Sequence, residues 1–156
     1  MTPMGDKTAI GSDHRGFSLK QSLISALNEM AIPVEDMGVF TEEAADYPLF
    51  AKSVARMVSE KTCARGILIC GSGIGMSIVA NKFPGVRAAL CHTADSARKS
   101  RMHNDANVLV LGQDVDQNTA QQMLKVWFET PFEGGRHQTR LDQRQAIETE
   151  NFKSTR

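Results

Sequence analysis

The chain has no excess of either charge: 18 lysines and arginines balance 18 aspartates and glutamates. No global field therefore draws it to nucleic acid or to an anionic membrane, and basic character acts only locally. Long apolar runs are missing too. No stretch approaches the roughly 18 apolar residues of a membrane span, and the polar Met1–Lys7 segment has no apolar leader core. Cysteine is sparse: Cys63, Cys70 and Cys91 are an odd number, without the spacing of a zinc site or a disulfide framework. These absences predict a cytoplasmic protein in reducing surroundings, with no metal, no nucleic acid and no membrane as partner. Internal repeats, low-complexity stretches and long linkers are also absent. The length therefore fits one domain, residues 1–156, able to bury roughly 70% of its unfolded surface.

Extended and helical signals alternate along the chain, the α/β pattern. Thr8–Gly11 reads as a strand ending in Ser12-Asp13-His14, and Leu19, Leu23, Ala26, Leu27 and Met30 form a helical stripe. Ile32–Met37 is a second strand. Tyr47, Phe50, Ala51, Val54, Ala55 and Val58 then recur at helical spacing behind Asp46 and Pro48. A strand over Ile67–Cys70, a helix from Met76 to Lys82, a strand over Val86–Cys91, a polar helix over Ala94–Met102 and a strand over Asn107–Leu111 follow. A last helix carries Met123, Leu124, Trp127 and Phe128 and ends at Pro131. Beyond Gly134-Gly135, a charged helix-prone tail starts at Gln138; after about residue 145 it is expected to serve as an interface helix or to fray. Five βα units predict an open parallel sheet with helices on both faces.

Ile67-Leu68-Ile69-Cys70-Gly71-Ser72-Gly73-Ile74-Gly75-Met76-Ser77 is the most informative stretch. It reads as a buried strand, a glycine turn and a helix, with Cys70 at the strand's carboxyl end, where open α/β sheets bind ligands. Backbone N–H groups there converge on a small volume and stabilise negative charge. Known nucleotide motifs fit poorly. A Walker loop wants Gly-Lys-Ser/Thr where Gly75-Met76-Ser77 stands, and the dinucleotide fingerprint wants a glycine at Met76. A cysteine phosphatase would need an arginine closing the Cys70 loop, and there is none. Each candidate also has a structural reading. A strand-end cysteine is commonly a small core residue. Asp13 can cap helix one, His14 can serve a backbone carbonyl, and His92 reads as a surface or capping residue. His103-Asn104-Asp105 can be a polar turn. It also precedes its strand, which puts it at the wrong edge of the sheet unless another subunit supplies it. Arg136, Arg140 and Arg144 share one helical face, which suits either solvent or a phosphate clamp.

Taken together, several segments resemble the ribose-5-phosphate isomerase B family, which includes galactose-6-phosphate and allose-6-phosphate isomerases. They are Gly11-Ser12-Asp13-His14, Asp46-Tyr47-Pro48, Cys70 to Ser77 with Ala80-Asn81-Lys82, His103-Asn104-Asp105-Ala106-Asn107-Val108-Leu109, and Glu133-Gly134-Gly135-Arg136-His137-Gln138 with Arg140. In order and spacing the match spans Thr8 to Arg140. The resemblance implies a three-layer α/β/α, Rossmann-like fold with a five-stranded parallel sheet in the order 2-1-3-5-4. It implies a homodimer with shared active sites, with a tetramer also open, and no cofactor. The substrate it implies is a phosphorylated sugar, with ribose 5-phosphate to ribulose 5-phosphate as the default reaction of the pentose phosphate pathway.

By the same resemblance, Cys70 is the base that moves a proton between C1 and C2 through a cis-enediolate. Another branch of the family uses a glutamate where Met76 stands, and Met76 cannot serve. Ser72 would orient Cys70, and the amides of Gly71, Ser72, Gly73, Ile74 and Gly75 would hold the enediolate. His103 would open the sugar ring, Asp13 and Asn104 would hold hydroxyls, and Tyr47 would line the pocket. His14, Arg136 and Arg140 would bind phosphate. Two departures stand out. Relatives usually carry a phosphate-binding arginine where Asp114 stands, and a small or apolar residue where Arg15 stands, so Arg15 is a candidate extra phosphate contact. Two rivals remain: a phosphocysteine carrier resembling the sugar-phosphotransferase IIB domains, which place their cysteine after the first strand, and a non-catalytic sugar-phosphate sensor.

Overall fold

A computed structural model describes residues 6–152. Its strands are β1 (Thr8–Ser12), β2 (Val34–Asp36), β3 (Arg65–Cys70), β4 (Ala88–Leu90) and β5 (Val108–Gly112). Its helices are α1 (Phe17–Glu29), α2 (Tyr47–Ser59), α3 (Ile74–Ala80), α4 (Ala94–Asn104), α5 (Gln117–Glu129) and α6 (Arg136–Phe152). All strand pairs are parallel, in the order β2-β1-β3-β5-β4. The three central strands are buried along almost their whole length, as continuous apolar runs covered on both faces must be. Two cores result, one on each face of the sheet. One sets Ala51, Val54, Ala55 and Val58 of α2 and Met76 and Ala80 of α3 against Leu68 and Val110. The other packs Leu23 and Leu27 of α1, Ala97 of α4 and Met123, Leu124 and Trp127 of α5 against Ile67, Ile69, Leu109 and Leu111. Among the described residues, no helix is long and apolar enough to cross a membrane.

Boundaries differ from expectation where side chains intercept the backbone. β4 is shorter than Val86–Cys91 because the Arg87 N–H donates to Asn107 Oδ1 instead of to a neighbouring strand. α3 begins at Ile74, two residues early, because Gly73 turns the chain in a left-handed conformation, φ 80°. It ends at Ala80, where the Asn81 side chain exchanges hydrogen bonds with the backbone of Ala88. β3 starts at Arg65, paired with Thr8. The tail is not frayed through Phe152: from Arg136 it is one helix of 17 residues, tied to the body where the Gly85 N–H donates to Glu148 Oε2.

One buried ion pair shapes the edge of the sheet that carries Cys70. Lys20 on α1 is fully buried and donates through Nζ to Asp36 Oδ1 at the end of β2. The same oxygen accepts from the Gly38 N–H, and the Gly38 carbonyl accepts from the Ser12 N–H at 2.8 Å. The pair therefore fixes the turn that braces the end of β1. Removing Asp36 strands Lys20 without its partner, so Asp36→Ala is expected to cost about 3–5 kcal/mol of stability, read as a lower midpoint in urea unfolding.

Candidate active site

In-register pairing brings three strand ends level: Ser12 lies beside Ile69, and Cys70 beside Gly112. The residues that follow, Asp13–Arg15, Gly71–Gly75 and Gln113–Asp114, meet at one edge. Cys70 is almost buried, 4% exposed, and its Sγ accepts the Gly73 N–H at 3.1 Å. That amide lies at the start of α3, so its dipole points at the sulfur. The glycines have no room for side chains. A Cβ on Gly73 would stand 2.6 Å from Leu90 Cδ1 and 3.0 Å from the Leu111 carbonyl carbon, on a backbone already at positive φ. A Cβ on Gly75 would lie 2.4 Å from the Tyr47 ring, and one on Gly71 would lie 2.9 Å from the Arg15 guanidinium. Tyr47 and Arg15 thus wall the turn on two sides.

Other expected residues settle nearby with altered roles. Asp13 does not cap α1; Gly16 is at that position, and Asp13 Oδ1 accepts the Arg15 and Gly16 N–H groups at 3.0 Å each in an Asx turn. Among the described residues no hydrogen bond reaches Asp13 Oδ2. His14 Nδ1 lies 3.1 Å from the Ala45 nitrogen and 3.2 Å from the Ala45 carbonyl oxygen, accepting from the one or donating to the other according to its tautomer, so the Ala45 backbone orients the ring. Ser72 does not hold Cys70: its exposed Oγ accepts the Ile74 N–H at 3.2 Å, and the Gly73 amide takes the orienting role instead. Two of the five turn amides expected to face substrate are therefore already engaged. The Gly75 N–H, in the first turn of α3, has no intrahelical acceptor.

A second cluster forms at the opposite edge. His103 and Asn104 end α4 and lead towards the start of β5, a strand's length of roughly 16 Å from Cys70. Arg136 and Arg140, both exposed on α6, belong with them, because His137 stacks on His103 with ring centroids 4.4 Å apart. Among the described residues, Arg15, Arg136 and Arg140 form no ion pair with a carboxylate. His103, Glu133 and His137 offer ligand atoms within 4.8 Å of one another. The two imidazoles lie 15° from parallel, so their in-plane lone pairs do not converge on one point as chelation requires. His137, a residue given no role from sequence, instead faces Glu133 Oε2 at 3.3 Å. His92 is exposed near the start of α4, where its N–H donates to Ser96 Oγ.

Comparison with known proteins assigns the chain to one family. The family model described as Ribose/Galactose Isomerase matches residues 8–144. The chain belongs to the ribose/galactose isomerase family. It is 45% identical over 143 residues to ribose-5-phosphate isomerase B of Escherichia coli, covering 91% of this chain and 96% of that protein. A D-erythrulose-4-phosphate isomerase of Pectobacterium atrosepticum is 40% identical over 81% of this chain and 85% of its own length. The solved structure of ribose-5-phosphate isomerase B from Clostridium thermocellum superposes with a TM-score of 0.90 at 44% identity, covering 93% of this chain and 99% of that one. Membership makes the protein an aldose–ketose isomerase of sugar phosphates, with the five-stranded α/β/α sheet of the family.

Two tests follow from the isomerase's Cys70 edge. Gly73→Ala forces a left-handed alanine into Leu90 and Leu111; a loss of about 2 kcal/mol or more in chemical unfolding is expected, with turnover reduced. Burial pushes the Cys63 and Cys91 thiols up from their ordinary range. At neutral pH, limited iodoacetamide is therefore expected to label Cys70 first in peptide mapping, with Cys63 and Cys91 reacting only after unfolding.

Proposed function

We propose that the enzyme interconverts ribose 5-phosphate and ribulose 5-phosphate with Cys70 as the base. The observation that carries this reading is the Gly73 N–H donated to Cys70 Sγ at the carboxyl end of the central strand. There the sulfur sits beside the α3 N-terminus, at the sheet edge that also carries Asp13, Arg15 and Tyr47. Aldose–ketose exchange needs a group that opens the ring, a base that moves one proton, and donors for the oxyanion formed between. In this mechanism His103 takes the anomeric hydroxyl proton and returns one to the ring oxygen. Cys70 thiolate then removes the C2 proton, the enediolate forms, and the thiol delivers the proton to C1 while a hydroxyl proton passes from O2 to O1. The Gly75 N–H stabilises the enediolate oxygen; a well-aimed donor of this kind contributes roughly 3 kcal/mol. Asp13 Oδ2 and Asn104 hold sugar hydroxyls, Tyr47 lines the pocket, and His14, Arg136, Arg140 and Arg15 bind phosphate.

Cys70 and His103 lie at opposite edges of one chain, so a working site takes Asp13, His14, Tyr47 and Cys70 from one protomer and His103, Asn104, Arg136 and Arg140 from another. A homodimer with two shared sites follows. Its contact surface includes the exposed apolar groups beside the Cys70 edge, Leu49 at 62%, Ile74 at 55% and Ile78 at 56% exposure. Three free cysteines fit reducing, cytoplasmic surroundings. The second reading is a tetrose phosphate as substrate, favoured by the relative named D-erythrulose-4-phosphate isomerase. It changes the pocket's depth and leaves the chemistry unaltered.

The deciding assay measures turnover of ribose 5-phosphate, allose 6-phosphate, galactose 6-phosphate and erythrose 4-phosphate by wild type and by Cys70→Ala. Ribose 5-phosphate is expected to be the preferred substrate, with at least a thousandfold loss of turnover, about 4 kcal/mol, in the mutant. A folded Cys70→Ala enzyme that keeps wild-type turnover would exclude Cys70 as the base.

A further inference from the structure

Gln113 follows β5 and binds two parts of the rim at once. Its backbone N–H donates to the Cys70 carbonyl at 2.9 Å and the Gly71 carbonyl at 3.2 Å. With its side-chain amide oriented to satisfy the surrounding hydrogen bonds, its nitrogen donates to the Arg15 carbonyl at 2.8 Å. Its oxygen then accepts from Arg15 Nη2 at 3.2 Å and Nε at 3.3 Å. Arg15 is thereby held at both its backbone and its guanidinium. The guanidinium lies flat against Gly71, where any Cβ would meet it at 2.9 Å, and no carboxylate among the described residues neutralises it. The acid of the same loop, Asp114, forms no ion pair with Arg15; its Oδ1 would lie 2.5 Å from a Cβ on Gly112.

We propose that Gln113 is a positioning residue that aims Arg15 at the phosphate of the substrate and so sets affinity for phosphorylated over unphosphorylated sugars. This rests on the isomerase reading for its substrate and on the clamp geometry for its mechanism. A neutral amide suits the task. Gln113 spends two acceptor contacts on Nε and Nη2 and leaves the guanidinium's charge and its remaining N–H donors for a dianion. A carboxylate at the same place would still accept from the guanidinium, but it would cancel the charge and lose the donor to the Arg15 carbonyl. Among the described residues the side chain of Gln113 hydrogen-bonds only to Arg15, whereas its backbone secures the Cys70 turn. Side-chain substitutions therefore separate phosphate recognition from the proton transfer at Cys70.

The test is a double-mutant cycle on the full-length protein, with KM and kcat for the preferred sugar phosphate and the dissociation constant of inorganic phosphate measured by calorimetry. Gln113→Ala is expected to raise KM and the phosphate constant about tenfold with kcat within about twofold, as for loss of one charge-assisted contact. Arg15→Ala is expected to do at least as much, and the double mutant no more than Arg15→Ala, because the two side chains act as a unit. Gln113→Glu keeps the contacts to the guanidinium but loses the donor to the Arg15 carbonyl and adds a negative charge, so it is expected to weaken phosphate binding at least as much as Gln113→Ala. Additive effects, a kcat loss in Gln113→Ala, or unchanged KM and phosphate binding would each overturn the proposal while leaving isomerase activity standing. If the wild type turns over no sugar phosphate, the isomerase reading falls. The phosphate constants alone then decide the clamp: non-additive weakening sustains it, and no weakening overturns it.

Discussion

The backbone of the turn after β3 is enclosed on the sides where side chains would ordinarily go, and the site depends on this. Gly71 lies under the Arg15 guanidinium, Gly73 against Leu90 and the Leu111 backbone, and Gly75 against the Tyr47 ring. Four separate elements thus press on one short loop. The loop in turn points a single amide at Cys70 Sγ. Packing from β4, β5, α2 and the β1–α1 turn is converted into the direction of one N–H dipole. Preorganisation of this kind lets a site act on charge without reorganising during the reaction.

A parallel sheet has two unlike edges, and the candidate residues of this protein fall at both. At the carboxyl edge the strand ends β1, β3 and β5 collect the cysteine, an acid, an imidazole and a cation. At the amino edge α4 and α6 bring together His103, Asn104, Arg136 and Arg140, organised by the stacked His103–His137 pair. Nothing inside one chain can shorten the distance between them, because β3 is rigid and buried. The folded core therefore sets both the precision of each half and their separation.

Much of this was legible in the sequence. Alternating apolar runs and helical stripes yielded five strands and the helices between them, and the glycine turn marked the Cys70 edge. The strand order came from family resemblance, since it does not follow from periodicity. What sequence could not supply was local competition for hydrogen bonds. Asp13 is followed by residues whose amides close on it as an Asx turn, so it never reaches the cap of α1. Ser72 sits one residue before the amide that takes its expected partner. Gln113, unremarkable in a strand-end Gly-Gln-Asp, acquires a role only because register sets it opposite Gly71 and beside Arg15. His137 is similar, since only the close approach of α6 to α4 makes its ring a support for His103.

In the paired assembly proposed above, the separation of the two residue sets has a genetic corollary. One allele disabled at Cys70 and another disabled at His103 each encode a dead homodimer, yet the mixed dimer joins an intact Cys70 edge to an intact His103 edge. Of its two sites, one carries both defects and the other carries neither. Cells holding both alleles would regain activity that neither allele provides alone, whereas two alleles damaged at the same edge would not rescue each other.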